Sequence, residues 1–459
     1  MNRKTTSDNY LSEELIDKFS QALSLELLNR DKNSKIYFLF DSSDSERLAS
    51  RFVDDMKGHL DVQKQNIFDV DHRLKRRVIL IDCLYNKEDK ETIDNLGLLT
   101  ELNTKLIGLI YPTGYKLNSG MKISRAIKYS LIITYNPNVG IFLNDCLDSC
   151  PNLHILGDCS NGSFHLVGEK DTKPLFVARK RNTHKGSYLS VSIIGGSKEY
   201  TGAPVLSYMS LSSLKLGSGF SYLVVPESLG DLYALRQPQI IVKTMSDEQG
   251  NFIFSKADID QVIGFSDVIA MGMGMGVSSE VYQIISYLLQ NFKGRLVLDA
   301  DGLNSLSKFG VEVLKEHSCE VVITPHIKEF SRLTNKQVEE TEENGVDLAK
   351  KFASENNLVV VLKSASSIIT DGKVVNINVS GNSGLAKAGS GDLLSGIIGG
   401  VLSDENIDLI SAASIGSYLL GKAAQDASKV VYFKSLTCGD IVDQLGKTLK
   451  SLSRKKKNI

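Results

Sequence analysis

The chain has 459 residues, which exceeds the size of one average domain, so we expect two domains. Its 42% hydrophobic and 23% charged residues are ordinary for a soluble α/β protein and exclude a fibrous or disordered chain. Because 53 Lys and Arg residues balance 54 Asp and Glu residues, no overall field favours nucleic acid or an anionic membrane as a partner. The absence of a signal peptide and of a long apolar run predicts a cytoplasmic protein.

The first part of the chain shows the pattern of a parallel α/β sheet. An amphipathic stretch from Tyr10 to Leu28 precedes four apolar runs, "KIYFLF", "RVILIDCL", "KLIGLIYPTG" and "YSLIITYN". Short buried strands separated by helical segments are typical of a parallel sheet that is covered on both faces. The pattern becomes irregular after about residue 151, and we place the boundary near Gly168, which gives domains 1–168 and 169–459.

The second part alternates strands and helices again. Apolar runs such as "YLSVSIIGG", "GFSYLVVP", "SDVIAMGMGMG" and "LVVVLKSASSIIT" predict about eight strands, and a helix is expected from Ala203 to Leu216. Strands that alternate with helices in this way predict a large open α/β sheet with right-handed crossovers.

A glycine-rich stretch from Gly381 to Gly400 is the most informative part of this domain. Its short run "AGSG" precedes a helical pattern that starts near Asp392. The amide groups at a helix N-terminus are unpaired and the helix dipole is positive there, so bare residues at this point predict a phosphate site. No lysine follows the glycines in the spacing of a P-loop, which excludes that motif.

Asp392 needs a separate explanation, because a carboxylate next to a phosphate repels it. One interpretation is that Asp392 takes a proton from a substrate hydroxyl, or orients it, while the oxygen attacks phosphorus. The other is that Asp392 caps the helix, as aspartate often does. The loop by itself favours neither interpretation.

Three further segments place glycine or polar residues directly after predicted strands. They are the turn from Met271 to Gly276, the pair Asp299 and Asp301, and the pair His326 and Glu329. Open α/β sheets bind ligands at the carboxyl ends of their strands, so we expect these segments to lie at one edge. Taken singly, each is also typical of a packed turn or a structural histidine.

Six motifs follow one another between residue 184 and about residue 445: "HKGSYLSVSIIGGSKEYTGAP", "GMGMG", "LDADGLNSL", "TPHIKEFSRL", "LKSASSIITDG" and "GNSGLAKAGSGDLLSGIIGG". In this order they resemble the nicotinamide nucleotide hydrate dehydratases, which are ribokinase-like enzymes. The resemblance implies a ribokinase-like α/β sandwich, NAD(P)H hydrate as substrate, and ADP or ATP with Mg²⁺ as cofactor. It also implies that a phosphoryl group activates the ring hydroxyl and that elimination restores the dihydronicotinamide. A homo-oligomer is expected.

The resemblance also assigns roles to individual residues. It implies that Asp392 is the catalytic residue and faces the hydroxyl of the hydrate. The expected substrate-binding residues are Ala203, Gly274, Gly276, His326 and Asp392. The expected nucleotide-binding residues are Lys363, Ser364, Ala365, Ser366, Gly389, Ser390 and Gly391. The chain departs from the family pattern at Ser364 and Met273, where glycine and proline are usual.

Residues 1 to about 165 are similar to the epimerase commonly fused to this domain, a Rossmann-like sandwich, but the motifs are eroded. The phosphate turn corresponds to Asp41–Glu46, which contains no glycine, and Ile110 stands where a carboxylate is usual. Asn86-Lys87-Glu88 replaces a Gly-Thr-Gly, whereas Asp82 is kept as the remnant of a potassium ligand. We expect a retained fold without epimerase activity. The alternative is an epimerase whose catalytic groups have moved.

Two other functions stay open for the second domain. One is a ribokinase-like kinase for a small alcohol, whose relatives match the motifs "TPHIKEF" and "HKGSY" only in part. The other is a nucleotide-binding protein without turnover, against which the intact Asp392 argues.

Overall fold

The structure is a computed structural model, and it describes most of the chain. The described residues are 13–30, 34–57, 60–69, 78–84, 87–100, 104–135, 137–149, 152–156, 164–211, 216–235 and 240–455. Tyr10, Asn86 and residues 212–215 of the expected helix therefore lie outside them. The chain divides into two compact units, Met1–Phe164 and His165–Ile459, here called unit 1 and unit 2.

Unit 1 is an α/β layer structure around a six-stranded parallel sheet with the strand order β2-β1-β3-β4-β5-β6. Its helices are α1 (Glu13–Arg30), α2 (Ser43–Met56), α3 (Lys90–Thr100) and α4 (Asn144–Ser149), and its strands are β1 (Lys35–Phe40), β2 (Val62–Asn66), β3 (Val78–Asp82), β4 (Lys105–Leu109), β5 (Leu131–Thr134) and β6 (Leu153–Ile155). Phe38 of β1 stacks on Phe52 of α2 with ring centroids 5.6 Å apart, so α2 covers one face of the sheet.

The four apolar runs of unit 1 form its central strands β1, β3, β4 and β5, as predicted. The two edge strands, β2 and β6, were not predicted. Strand β2 has the sequence "VQKQN", in which only Val62 is buried, and β6 has three residues. An edge strand packs on fewer neighbours than a central strand, so it needs fewer apolar residues.

Unit 2 contains a ten-stranded sheet with the order β10-β9-β8-β13-β14-β15-β16-β17-β18-β7 and a small hairpin, β11-β12. Its strands are β7 (His165–Leu166), β8 (Ser190–Ile194), β9 (Phe220–Pro226), β10 (Ile241–Met245), β11 (Asp247–Glu248), β12 (Asn251–Phe252), β13 (Val268–Met271), β14 (Arg295–Leu298), β15 (Glu320–Ile323), β16 (Val359–Leu362), β17 (Ser367–Thr370) and β18 (Val375–Asn378). Its helices are α5 (Ala203–Leu211), α6 (Gly230–Ala234), α7 (Lys256–Phe265), α8 (Ser279–Asn291), α9 (Ala300–Phe309), α10 (Ile327–Thr334), α11 (Val338–Glu343), α12 (Gly345–Asn356), α13 (Ser390–Val401), α14 (Leu409–Ala427) and α15 (Cys438–Lys455).

The seven neighbouring strands β10, β9, β8, β13, β14, β15 and β16 are parallel, as an alternating α/β pattern predicts. The run "LVVVLKSASSIIT" differs from the prediction, because it forms two antiparallel strands, β16 and β17, with Lys363 to Ser366 between them. Strand β7 extends the sheet from the irregular segment near the predicted boundary. The two-domain α/β fold class is confirmed.

Helix α13 lies at the centre of unit 2. From Leu393 to Val401 every residue of the helix is buried, and its apolar side chains join the core formed by β8, β13 and α14. Gly396 brings α13 close to α5, since a Cβ added there would overlap the backbone carbonyl oxygen of Ser207. The close packing of these two helices fixes where α13 begins.

Gly396→Ala is therefore expected to lower the free energy of unfolding by about 1–3 kcal/mol, because the new methyl group meets backbone that cannot move aside. Gly399→Ala on the same helix is the control, since its Cβ would lie 3.6 Å from the side chains of Ala270 and Val191, at ordinary contact distance. Denaturant unfolding of the full chain measures both. Equal stability of the two variants would contradict the close packing.

Candidate active site

Five neighbouring strands of unit 2 end at one edge of the sheet, and three of these ends, after β13, β14 and β15, were expected there from the sequence. In sheet order, β8, β13, β14, β15 and β16 are adjacent. They are followed by Gly195 and Gly196, the glycine turn 272–276, Asp299, His326 and Lys363, respectively. Carboxyl ends of parallel strands are where open α/β sheets bind ligands, so this edge is the candidate active site.

The N-terminus of α13 is open. Its N-cap is Gly389, which has the left-handed backbone with φ of 95°, and no side chain caps the helix. The N-termini of α8 and α14 are different, because Ser278 and Asp408 accept hydrogen bonds from their amide groups. The first amides of α13, including Gly391, are left to bind an anion.

Asp392 does not act as the cap. The cap position belongs to Gly389, three residues earlier, and within the described residues the Asp392 carboxylate forms no hydrogen bond. Its backbone carbonyl oxygen accepts a hydrogen bond of 2.8 Å from Ser207 Oγ on α5. The side chain is thus held in place through the backbone while the carboxylate stays available.

Burial, together with the negative charge of Asp299, raises the pKa of Asp392 to about 7, although Lys363 opposes the shift. A carboxyl group with a pKa near neutrality is able both to accept a proton and to release it at physiological pH. The electrostatics of this position therefore suit general base catalysis.

Lys363 lies beside the open helix end. Its Nζ donates a 2.7 Å hydrogen bond to Asp299 Oδ1, and the two side chains are 19% and 1% exposed. Burial alone would lower the pKa of Lys363, but Asp299 and Glu329 outweigh it and raise the pKa. A Cβ added at Gly391 would lie 3.3 Å from Lys363 Nζ, so glycine leaves this ammonium accessible from the amide of residue 391.

His326 begins α10 and is tied to Lys363 through the backbone. Lys363 N donates to Pro325 O at 2.8 Å, and Glu329 accepts from the His326 amide at 2.8 Å. Burial and the cations Lys363 and Arg332 lower the pKa of His326, so its half-exposed ring is neutral at neutral pH. His326 is the N-cap, since its Nδ1 accepts a 3.2 Å hydrogen bond from the Glu329 amide, and burial raises the pKa of Glu329, which closes the capping box.

The glycine turn after β13 lies against α5. Gly274, with φ of 68°, leaves room for Ala203, whose Cβ would be 3.2 Å from a Cβ added at residue 274. Gly276 has open space where a side chain would be, and its amide donates to Asp301 Oδ2 at 2.9 Å. Helix α5 joins this group to α13, because it carries both Ala203 and Ser207. The packing of α5, α13 and the glycine turn thus holds four of the expected substrate residues and the phosphate loop. The four residues are Ala203, Gly274, Gly276 and Asp392.

The three residues after Lys363 differ in their exposure to solvent. Ser364 and Ala365 are exposed, as a nucleotide contact requires, whereas Ser366 is only 1% exposed. Its Oγ has no hydrogen-bond partner within the described residues. The Ser366 side chain is therefore shielded from solvent, unlike those of Ser364 and Ala365. Two further residues contact the site. Asp299, to which the sequence assigned no role, pairs with Lys363, and Ser395, which the sequence did not single out, donates to Asp299.

The open amides and the adjacent ammonium fit a nucleotide. Among the described residues no group of three or more His, Cys, Asp or Glu side chains is arranged to hold a metal ion. Mg²⁺ that accompanies a nucleotide keeps several waters and binds phosphate oxygens, so this site fits a cation delivered with the phosphates. No described helix has the length and apolar character needed to cross a membrane.

Unit 1 has no open helix end at the corresponding turn. Ser42 caps α2 and forms a capping box with Ser45, and Ser45 Oγ also donates to Asp41 Oδ1 at 2.8 Å. Asp44 and Glu46 lie in the first turn and repel phosphate. Ile110 has a left-handed backbone, with φ of 73°, that a β-branched residue rarely adopts.

Asp82 does not fit a potassium ligand. It is fully buried, and its Oδ1 accepts hydrogen bonds from Leu84 N at 3.1 Å and Lys87 Nζ at 3.0 Å. Its Oδ2 accepts from Thr113 N at 3.2 Å and Tyr129 OH at 2.7 Å. Four donors, one of them the Lys87 ammonium, already satisfy this carboxylate, so the positive charge beside it comes from the chain itself.

Comparisons with known proteins agree with this geometry. The sequence profile of the NAD(P)H-hydrate dehydratase family matches residues 191–447. A bifunctional NAD(P)H-hydrate repair enzyme from Dictyoglomus turgidum is 29% identical over 404 residues, which are 83% of this chain and 77% of that protein.

Two solved structures share the fold of unit 2. A ribokinase-like superfamily protein from Enterococcus faecalis has a TM-score of 0.54 and 23% identity, covering 63% of this chain and 97% of its own. The ADP/ATP-dependent NAD(P)H-hydrate dehydratase from Bacillus subtilis, co-crystallized with ATP/Mg²⁺, has a TM-score of 0.52 and 24% identity, covering 63% and 99%. The ribokinase-like fold predicted from the sequence is confirmed.

Lys87→Met is expected to lower the stability of the protein by about 3–5 kcal/mol, because it leaves the buried Asp82 carboxylate without its counter-charge. Lys64→Met is the matched control: Lys64 pairs with Glu46 at 2.7 Å, but both side chains are more than 40% exposed, with values of 43% and 42%. The control should change stability by less than about 1 kcal/mol. Thermal unfolding of the full chain provides the comparison. Stabilisation of the unmutated protein by K⁺ over Na⁺ would argue against the built-in counter-charge.

Proposed function

The chain belongs to the NAD(P)H-hydrate dehydratase family, and on that premise we propose that unit 2 dehydrates (6S)-NAD(P)H hydrate to NAD(P)H with ADP or ATP. The protein thereby serves the repair of nicotinamide nucleotides. The observation that carries the proposal is the uncapped N-terminus of α13, with Lys363 beside its amides and Asp392 at its third position. Phosphate-binding groups and a base lie within one helical turn.

We assign the residues of unit 2 to two groups. The amides from Gly389 to Gly391 and the Lys363 ammonium bind the phosphates, with Ser364, Ala365 and the backbone of Ser366 at the nucleotide. The hydrate lies against Ala203, Gly274 and Gly276, with His326 next to it. These residues belong to α5, the glycine turn and the start of α10.

The bound nucleotide supplies the phosphoryl group that converts the ring hydroxyl into a leaving group. Asp392 accepts the proton of that hydroxyl, and its pKa of about 7 suits this transfer at neutral pH. Lys363 and the helix N-terminus stabilise the negative charge that develops on the phosphate oxygens. The neutral His326 ring accepts the Glu329 amide at Nδ1 and is able to donate one hydrogen bond to the hydrate from Nε2.

For unit 1 we propose a retained fold without epimerase activity. Four features argue against a dinucleotide site in this unit. The N-terminus of α2 is capped and carries two acids in its first turn, Ile110 replaces a carboxylate, and donors of the chain already satisfy Asp82. Mg²⁺ as the cation of the nucleotide is part of the proposal and is supported by the co-crystals of the Bacillus subtilis protein. A cytoplasmic location, a homo-oligomer and the absence of a nucleic-acid partner stay predictions.

Asp392→Asn should reduce kcat for dehydration by about 10²–10⁴-fold with nucleotide affinity unchanged, because asparagine keeps the size of the side chain but cannot accept the proton. Recovery of dihydronicotinamide absorbance from hydrated NADH with ADP or ATP measures the rate, and calorimetry measures the affinity. Phosphorylation of a small alcohol in place of dehydration would identify a kinase. Nucleotide binding without any turnover in the unmutated protein would identify a binding protein.

The pH profile provides a second prediction. Because burial raises the pKa of Asp392 to about 7 and only the ionised carboxylate accepts a proton, kcat/KM for the hydrate should fall about tenfold per pH unit below that value. Above it, kcat/KM should level off. The residual activity of Asp392→Asn serves as the reference and should lack this inflection. A profile that stays flat into the acid range would remove Asp392 as the base.

The full chain is expected not to accelerate the interconversion of the two hydrate epimers, since side chains cap the turn at Asp41–Glu46 and residue 110 is not a carboxylate. Omitting the nucleotide prevents dehydration during the assay, and chromatography separates the epimers. An interconversion rate that rises with protein concentration would show that the catalytic groups have moved within unit 1.

A further inference from the structure

A buried carboxylate links Lys363 to helix α13. Asp299 follows β14 and is 1% exposed. Its Oδ1 accepts hydrogen bonds from Lys363 Nζ at 2.7 Å and from the amide of Ala300 at 2.8 Å. Its Oδ2 accepts a hydrogen bond of 2.6 Å from Ser395 Oγ. One side chain therefore contacts both the cation of the phosphate site and helix α13.

Ser395 is the point of contact on α13. It is fully buried and lies three residues after Asp392, on the next turn of the helix. Its Oγ also lies 3.3 Å from the carbonyl oxygen of Gly391. The serine thus joins the carboxylate of Asp299 to the same helical turn that carries the proposed base.

These contacts are strong because they are buried. A carboxylate taken out of water is tolerated only when donors satisfy it, and hydrogen bonds to a charged group exceed those between neutral groups. Removing one donor leaves an oxygen unsatisfied and allows the partners to shift. A shift of about 1 Å in a reacting group is enough to cost about a hundredfold in rate.

We propose that Asp299 and Ser395 are positioning residues for the dehydration. Asp299 holds the Lys363 ammonium next to the Gly391 amide, and Ser395 ties the first turns of α13 to Asp299. The distance between the phosphate site and Asp392 is thereby fixed. This inference rests on the proposed function of unit 2.

Asp299 also acts on Asp392 through its charge. The charged groups that face Asp392 are Asp299 after β14, Asp301 on α9 and Lys363 after β16, and Cys438 on α15 lies close enough to interact with it. The two aspartates raise the pKa of Asp392 and Lys363 lowers it. Removing the charge of Asp299 should therefore lower the pKa of Asp392.

Ser395→Ala tests the helix contact alone. We expect kcat to fall about tenfold to a hundredfold, with nucleotide affinity by calorimetry and the inflection of the kcat/KM profile unchanged, because Lys363 still pairs with Asp299. Ser305→Ala is the matched control: Ser305 on α9 is equally buried, and its hydroxyl has no hydrogen-bond partner within the described residues. That variant should keep the activity of the unmutated protein.

Asp299→Asn tests the charge. It should weaken nucleotide binding, lower kcat and move the inflection of the pH profile to lower pH, a shift that a purely structural defect would not produce. The double variant Ser395→Ala/Asp299→Asn should lose little more kcat than Asp299→Asn alone, since the serine acts through the carboxylate.

The outcomes separate the inference from the function on which it rests. An active unmutated protein with an equally active Ser395→Ala variant would overturn the inference and leave the proposed function standing. Additive losses in the double variant, or an unshifted profile in Asp299→Asn, would also overturn it. A folded, unmutated protein that binds nucleotide without dehydrating the hydrate would overturn both.

Discussion

The chemistry of unit 2 depends on a helix that begins without a cap. Gly389 takes the left-handed backbone at the N-cap of α13 and offers no side chain to its amides. An N-terminus left bare in a partly buried place contributes less to stability than a capped one, because its amide groups lack partners until water or a ligand satisfies them. The rest of unit 2 compensates: α13 is buried along most of its length and packs tightly on α5.

The two units use the same structural element in opposite ways. In unit 1, α2 also follows a strand end, but Ser42 and Ser45 close its N-terminus with their own hydroxyls and two acids occupy the first turn. In unit 2 no side chain caps the first amide groups of α13, and Lys363 lies beside them. One unit satisfies these donors with its own side chains and the other leaves them open, so the shared strand–helix arrangement does not by itself make a binding site.

Most of the fold was predictable because apolar runs mark central strands. The edge strands β2, β6 and β7 were not predicted, since they carry few apolar residues. One apolar run was read as a single strand, although the turn from Lys363 to Ser366 divides it into two antiparallel strands. The glycine loop and Asp392 stood out because bare residues and an isolated acid are unusual before an apolar helix. Ser395 carried no such signal, because a buried serine in an apolar helix becomes informative only when its partner across the sheet edge is known.

The lysine that neutralises Asp82 is covalently part of unit 1. A bound ion stabilises a folded state by mass action, so its contribution rises and falls with the ion concentration around the protein. An ammonium on a tethered side chain has an effective concentration set by the four residues between Asp82 and Lys87 and cannot be diluted, exchanged or displaced by a competing ion. Unit 1 therefore carries its counter-ion through any change in the salt composition of its surroundings.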